Sequence, residues 1–122
     1  MMMELQIGDC TYRLHVSADL GRWLSYASRV DNGVRFGIEC AGATETEAVE
    51  RLVRWLRWQS DHTAALRALQ ERERDYHRTV AGSAFATSTH DQLGVEQRRA
   101  SLDQVDAARR RLDEVRASRP GE

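Results

Sequence analysis

The residues that could bind a metal ion or support catalysis are few and widely spaced in this chain of 122 residues. His62 and His77 fall near one face of a predicted helix. Their spacing of 15 residues corresponds to about 22 Å of helix, which is too far to share a metal ion. Glu73 and His77 are about one helical turn apart and could supply two ligands, fewer than a metal site requires. The sequence has no HExxH, CxxC or glycine-rich phosphate loop.

The candidate nucleophiles lack the surroundings that would activate them. Ser83 lies in AGSAF, which does not have the GxSxG frame of a nucleophile elbow. Cys10 and Cys40 both fall in predicted strands, where a free cysteine behaves as a small hydrophobic residue. We therefore predict a protein that is not an enzyme and that uses neither a cofactor nor a metal.

The stretch RLVRWLRWQS (residues 51–60) could indicate nucleic-acid binding, because tryptophan can stack on bases and arginine can bind phosphate. Placing the residues about 100° apart around a helix separates the two residue types. Trp55 falls within a broad apolar arc, and Trp58 falls at its far edge. Arg54 and Arg57 point away from that arc. The pattern favours packing of the tryptophans against another element over binding of nucleic acid.

The elements that position these residues begin with short strands. Apolar and polar residues alternate in ELQIG, CTYRLHV, RWLSYASRV and VRFGIEC, as expected for half-buried strands. Gly8-Asp9 and Asp31-Asn32-Gly33 are hairpin signals, because glycine and asparagine tolerate positive φ. The sequence therefore predicts an antiparallel sheet of three or four strands.

The pattern becomes helical after Gly42. Thr44 is a candidate N-cap, and Glu47 three residues later completes a capping box. No proline occurs before Pro120, so we predict one helix that runs to about Thr79 and is roughly 50 Å long.

The predicted fold class is α+β. A small antiparallel sheet is packed by the long helix, and a C-terminal helix forms an antiparallel helical hairpin with it. We assign all of this to a single domain, with the sheet and long helix in residues 1–79, a connecting loop in residues 80–90 and the C-terminal helix in residues 91–119.

The two predicted helices carry more apolar surface than one sheet face can cover. The first is apolar over more than half its circumference at its start, and the second has a narrower stripe. A hairpin of this kind commonly completes its burial by association, so we predict a homo-oligomer, with a dimer favoured, and a protein-binding function. The residues predicted to form helix–helix or subunit contacts are Trp55, Trp58, Leu69, Tyr76, Leu102, Val105 and Leu112.

The charge composition is nearly balanced, with 18 basic residues, all of them arginine, and 19 acidic residues. A nucleic-acid-binding domain usually has a basic excess or a basic face. Nucleic-acid binding by the C-terminal helix stays open as the alternative function. It would use Arg98, Arg99, Arg109, Arg110 and Arg111.

The predicted location is cytoplasmic, without membrane association. No apolar run approaches the length of a transmembrane helix. The N-terminal stretch MMMELQIGDC does not have the basic and apolar regions of a signal peptide.

The junction ECAGATETEAVERLVRWL, together with the strands before it, resembles the HicB-like antitoxin domain over residues 3–60. Gly42, Thr44, Glu47 and Ala48 match the family's Gly-x-Thr-x-x-Glu-Ala junction. The resemblance implies a partial double-stranded-RNA-binding-type fold used as a protein-binding module, with toxin neutralisation as one use. The chain lacks the DNA-binding segment with which these antitoxins usually end, so the resemblance does not imply operator binding.

Overall fold

A computed structural model describes residues 2–84 and 91–121 and shows an α+β fold, as predicted. The elements are β1 (Met2–Ile7), β2 (Cys10–Asp19), β3 (Arg22–Arg29), β4 (Arg35–Gly42), α1 (Glu45–Ala84) and α2 (Asp91–Ala117). The chain divides into two compact units. The sheet unit contains residues 1–60 and 119–122, and the hairpin unit contains residues 61–118.

The sheet is a four-stranded antiparallel meander in the order β1-β2-β3-β4. Each strand pairs with the next one along the chain, and the register places Leu14 opposite Ala27 and Ser25 opposite Cys40. Two of the turns have a glycine at positive φ where the sequence predicted a hairpin, with φ of 58° at Gly8 and 70° at Gly33. The meander confirms the predicted sheet, with four strands.

The core of the sheet unit lies between one face of the sheet and the start of α1. Leu14, Ala27 and Cys40 of the strands pack with Leu52 and Leu56 of α1, and all five side chains are buried. Burying a leucine side chain contributes about 1.5–3 kcal/mol to stability. Alternate residues of the strands and residues four apart in the helix therefore form one shared apolar core.

The junction between β4 and α1 is held by the predicted capping box. The Thr44 hydroxyl accepts a hydrogen bond of 3.1 Å from the Glu47 N–H, and the Glu47 carboxylate accepts one of 3.3 Å from the Ala43 N–H. Gly42 lies directly against the first turn of the helix, where a Cβ atom would be 2.6 Å from the Ala48 nitrogen. Only glycine fits at this position without displacing the helix.

We expect Gly42→Ala to lower the free energy of unfolding by about 1–3 kcal/mol, because the added methyl group overlaps the helix backbone. Gly37→Ala in the same strand is the control, since a Cβ atom there meets nothing within 4 Å. Urea unfolding monitored by circular dichroism gives both values. Equal stability of the two variants would contradict the close-packed junction.

The turn between β2 and β3 is strained at one residue. Leu20 and Gly21 both have positive φ, at 49° and 82°, as a two-residue type I′ turn requires. Glycine adopts this conformation freely, but a leucine does not. Leu20 is also 97% exposed, so it gains no packing energy in return.

Replacing Leu20 by asparagine is expected to stabilise the protein by about 1 kcal/mol, because asparagine tolerates the left-handed conformation. Leu20→Ala is the matched control, since it removes the same exposed side chain without that tolerance. Thermal unfolding distinguishes them, and a Leu20→Asn variant no more stable than Leu20→Ala would contradict the assignment of strain.

The hairpin unit consists of residues 61–84 of α1 and the antiparallel helix α2. Hydrogen bonds join Arg72 to Gln104 and Thr79 to Ser101, so positions later in α1 meet positions earlier in α2. In the described part of the chain, neither helix combines the length and apolar character needed to cross a membrane.

The first helix is longer than its sequence pattern indicates. It continues to Ala84, whereas the prediction ended it near Thr79 because glycine and serine follow. One internal glycine, Gly82, costs a helix only about 1 kcal/mol relative to alanine, which is too little to stop it. Residues 85–90 of the predicted loop lie outside the described residues.

Candidate functional site

The two helices of the hairpin unit meet along a single narrow seam. In α2, the less exposed side chains from position 94 onward recur three and four residues apart, as in a heptad repeat. These positions are Gly94, Arg98, Ser101, Val105, Ala108, Leu112 and Val115. Among the side chains that the structure describes in this unit, the buried hydrophobic ones are Ala65, Leu69, Val105, Leu112 and Val115.

One end of this seam is polar. The Thr79 and Ser101 hydroxyl oxygens are 3.3 Å apart, and the Arg72 guanidinium donates to the Gln104 side-chain oxygen at 3.1 Å. Hydroxyl and amide pairs of this kind fix the register of two helices but add little apolar burial. The seam therefore loses hydrophobic stabilisation in this part of the hairpin.

The predicted contact residues of the hairpin divide into three groups. Leu69, Val105 and Leu112 are buried in the seam. Tyr76 is half-buried and its ring lies 5.9 Å from the His77 ring. Leu102 is 43% exposed and lies outside the seam, because the heptad passes through its neighbour Ser101.

Three apolar side chains of the hairpin unit are exposed although they flank the seam. Val80 is 37% exposed, Val95 is 40% exposed and Leu102 is 43% exposed. Val95 and Leu102 are seven residues apart, so they lie on the same edge of α2. We call Val80, Val95 and Leu102 the exposed apolar edge.

The predicted tryptophan contacts belong to the sheet unit. The rings of Trp55 and Trp58 meet edge to face, with centroids 5.8 Å apart at 81°. The Arg119 guanidinium carbon is 5.2 Å from the Trp55 ring centroid and 5.9 Å from the Trp58 centroid, close enough for cation–π attraction to both. The sequence predicted a helix against Trp58 and missed Arg119, which follows the end of α2 and lies more than 60 residues from either tryptophan in the chain.

A cavity of about 350 Å³ lies next to this cluster, within the sheet unit. It is lined by residues 38–41 of β4, Arg51 and Trp55 of α1, and Arg119 and Gly121 of the C-terminal segment. Arg51 is held in place because it donates to the Ala41 carbonyl at 2.7 Å and pairs with the Glu47 carboxylate at 2.7 Å. The cavity lining therefore combines an apolar ring and two arginines with one acidic residue, Glu39.

The sheet face opposite α1 carries Tyr26 between two partners. The His15 ring stacks on the Tyr26 ring at 4.5 Å with an angle of 9°, and the Arg35 guanidinium carbon is 4.2 Å from the Tyr26 centroid. His15 is on β2 and Arg35 on β4, which flank β3 on opposite sides. Both faces of Tyr26 are therefore covered, whereas a base-binding sheet needs open aromatic faces.

The five arginines of the alternative site are spread around α2. Arg98 is half-buried in the seam, and the other four are exposed. Arg110 donates to the Asp106 carbonyl at 3.4 Å, and Arg111 lies 3.7 Å from the Glu114 carboxylate. The structure does not bring the five side chains onto one face.

The described residues provide no group of three or more histidine, cysteine or acidic side chains that could hold a metal ion. Burial raises the pKa of the Cys40 thiol, although Arg51 and Arg54 pull that pKa down. A raised pKa keeps the thiol neutral, which is the opposite of what a cysteine nucleophile requires. Burial also raises the pKa of the Tyr12 hydroxyl, with the Cys10 side chain adding to the shift.

No protein-family model matches the chain, and neither a curated protein nor a solved structure matches it.

A gel shift tests the alternative function, because nucleic-acid binding by α2 would retard a short duplex. Because the arginines of α2 alternate with acids, we expect no shift of a short RNA or DNA duplex at low salt. A shift that weakens with added salt would contradict this. It should then disappear when Arg109, Arg110 and Arg111 are replaced by glutamine, but not when Arg67, Arg74 and Arg78 of α1 are replaced.

Proposed function

We propose that this chain is a non-enzymatic protein-binding module that acts as a homodimer joined through the hairpin unit. The observation that carries the proposal is the exposed apolar edge, which lies beside a seam where the described side chains include five buried hydrophobic ones, Ala65, Leu69, Val105, Leu112 and Val115. Two helices that share one seam leave most of their surface in water. Association of two such hairpins into a four-helix bundle is the common way to complete their burial.

The charges of the hairpin unit support association with protein. Residues 61–118 contain ten arginines and ten acidic residues, so the unit has no net charge. Two copies therefore approach without long-range repulsion, and arginines of one copy meet acids of the other at the rim of an interface. A nucleic-acid partner would instead favour an excess of arginine on one face.

A HicB-like regulatory partner is one specific form of this proposal. It is supported by the order of antiparallel strands followed by a helix. It is also supported by the junction, in which Gly42 lies against Ala48 and the Thr44 hydroxyl caps the helix by accepting from the Glu47 N–H. In this form, the hairpin unit joins two copies, and the protein that each copy neutralises binds elsewhere on the chain.

Oligomeric state tests the proposal directly. We expect the 13.9 kDa chain to elute at twice its mass in size exclusion with light scattering. Leu102→Glu should convert it to a monomer, because burying an unpaired carboxylate in the interface costs several kcal/mol.

Ala100→Glu is the matched control, since it adds the same charge to an exposed position of α2 away from the seam. It should remain dimeric. A wild-type chain that is monomeric at micromolar concentration, or equal effects of the two substitutions, would contradict the proposed interface.

A further inference from the structure

The open edge of β4 offers a second interaction surface, in the sheet unit. Among the described strands, β4 pairs only with β3. The Cys40 carbonyl lies 3.4 Å from the Ser25 hydroxyl on β3, whereas the Ala41 carbonyl accepts from Arg51 at 2.7 Å. Backbone groups of successive residues in a strand point to opposite edges. The N–H and C=O of Glu39 therefore share the outward edge with those of Ala41.

The cavity beside this edge is shaped to receive a side chain of an added strand. Its lining includes the apolar ring of Trp55 and the acidic residue Glu39. A peptide that pairs with Glu39 directs alternate side chains to the same face of the sheet. One such side chain can enter the cavity, while the peptide backbone extends the sheet.

The charges at the cavity favour an acidic side chain. The Glu39 carboxylate is already bound to Arg35 at 2.8 Å, and Arg51 is bound to Glu47 at 2.7 Å. Within the described residues, Arg119 has no carboxylate partner and contacts the faces of the two tryptophans. Its N–H groups can therefore bind a carboxylate from a ligand, and guanidinium groups do so with two parallel hydrogen bonds.

We propose that the open edge of β4 binds an extended acidic segment of a partner protein by strand addition. The backbone of the segment pairs with Glu39, and a carboxylate side chain binds Arg119 beside the Trp55 ring. This inference goes beyond dimerisation through the hairpin unit and does not depend on it.

A second copy of this chain fits the edge less well than an acidic partner. Symmetric pairing of two β4 strands about Glu39 would supply no free carboxylate to Arg119, because the Glu39 carboxylate of each copy is already bound to Arg35. It would also bring the Arg119 charges of both copies to the same edge.

Tryptophan fluorescence measures the binding of a defined probe, an eight-residue peptide in which valine alternates with glutamate. The comparison is a peptide of the same length with lysine in place of glutamate. We expect saturable binding of the glutamate peptide that is at least about ten-fold tighter than that of the lysine peptide.

Arg119→Gln should weaken the binding of the glutamate peptide about ten-fold, because a charge-assisted hydrogen bond is lost. Arg57→Gln removes the same charge from an exposed site of α1 and should leave the affinity unchanged.

Strand addition is tested separately from charge. A glutamate peptide with alternate N-methylated residues keeps its carboxylates but loses its outward N–H donors, so its binding should be lost. Glu39→Pro should abolish binding of the unmethylated peptide, whereas Glu39→Ala should retain it, and circular dichroism checks that both variants fold. Equal binding of the glutamate and lysine peptides, no binding of either, or unchanged binding after N-methylation would overturn the inference. Self-association that Arg119→Gln abolishes would also overturn it, by showing that a second copy occupies the edge.

Discussion

The close approach of Gly42 to the first turn of α1 is the contact on which the sheet unit depends. The absence of a side chain at Gly42 leaves room for the Ala48 amide, and the Ser25 hydroxyl donates to the Ala48 carbonyl at 2.7 Å. Together these contacts fix where the helix begins and how it crosses the central strands. The apolar face of the helix then covers the sheet, and Arg51 and Trp55 come to lie beside the open edge of β4.

The sheet and the start of α1 could be predicted because their signals are local. Alternating residues define the faces of each strand, glycines mark two of the turns, and Thr44 with Glu47 marks the first turn of the helix. The separation of Trp55 and Trp58 from the neighbouring arginines also followed from helical spacing alone. Each of these features is determined by residues within a few positions of one another.

Features that depend on the relation between distant residues could not be predicted in the same way. Leu102 was placed in the apolar stripe of α2 and is 43% exposed, whereas its less exposed neighbour Ser101 has its hydroxyl 3.3 Å from that of Thr79 across the hairpin. The contact of Arg119 with Trp55 joins residues far apart in the chain, and no local pattern indicates it. The candidate cavity depends on that contact, so the sequence alone did not reveal it.

The meander topology has a consequence for how the sheet unit folds. Every strand pairs with a neighbour in the chain, so residues paired within the sheet are close in sequence. Each of these pairings closes a short loop and costs little loop-closure entropy. The contact of Arg119 with Trp55 and Trp58 is different, because it closes a loop of more than 60 residues. Its loop-closure entropy is larger than that of any strand pairing in the sheet, because the cost grows with the length of the closed segment.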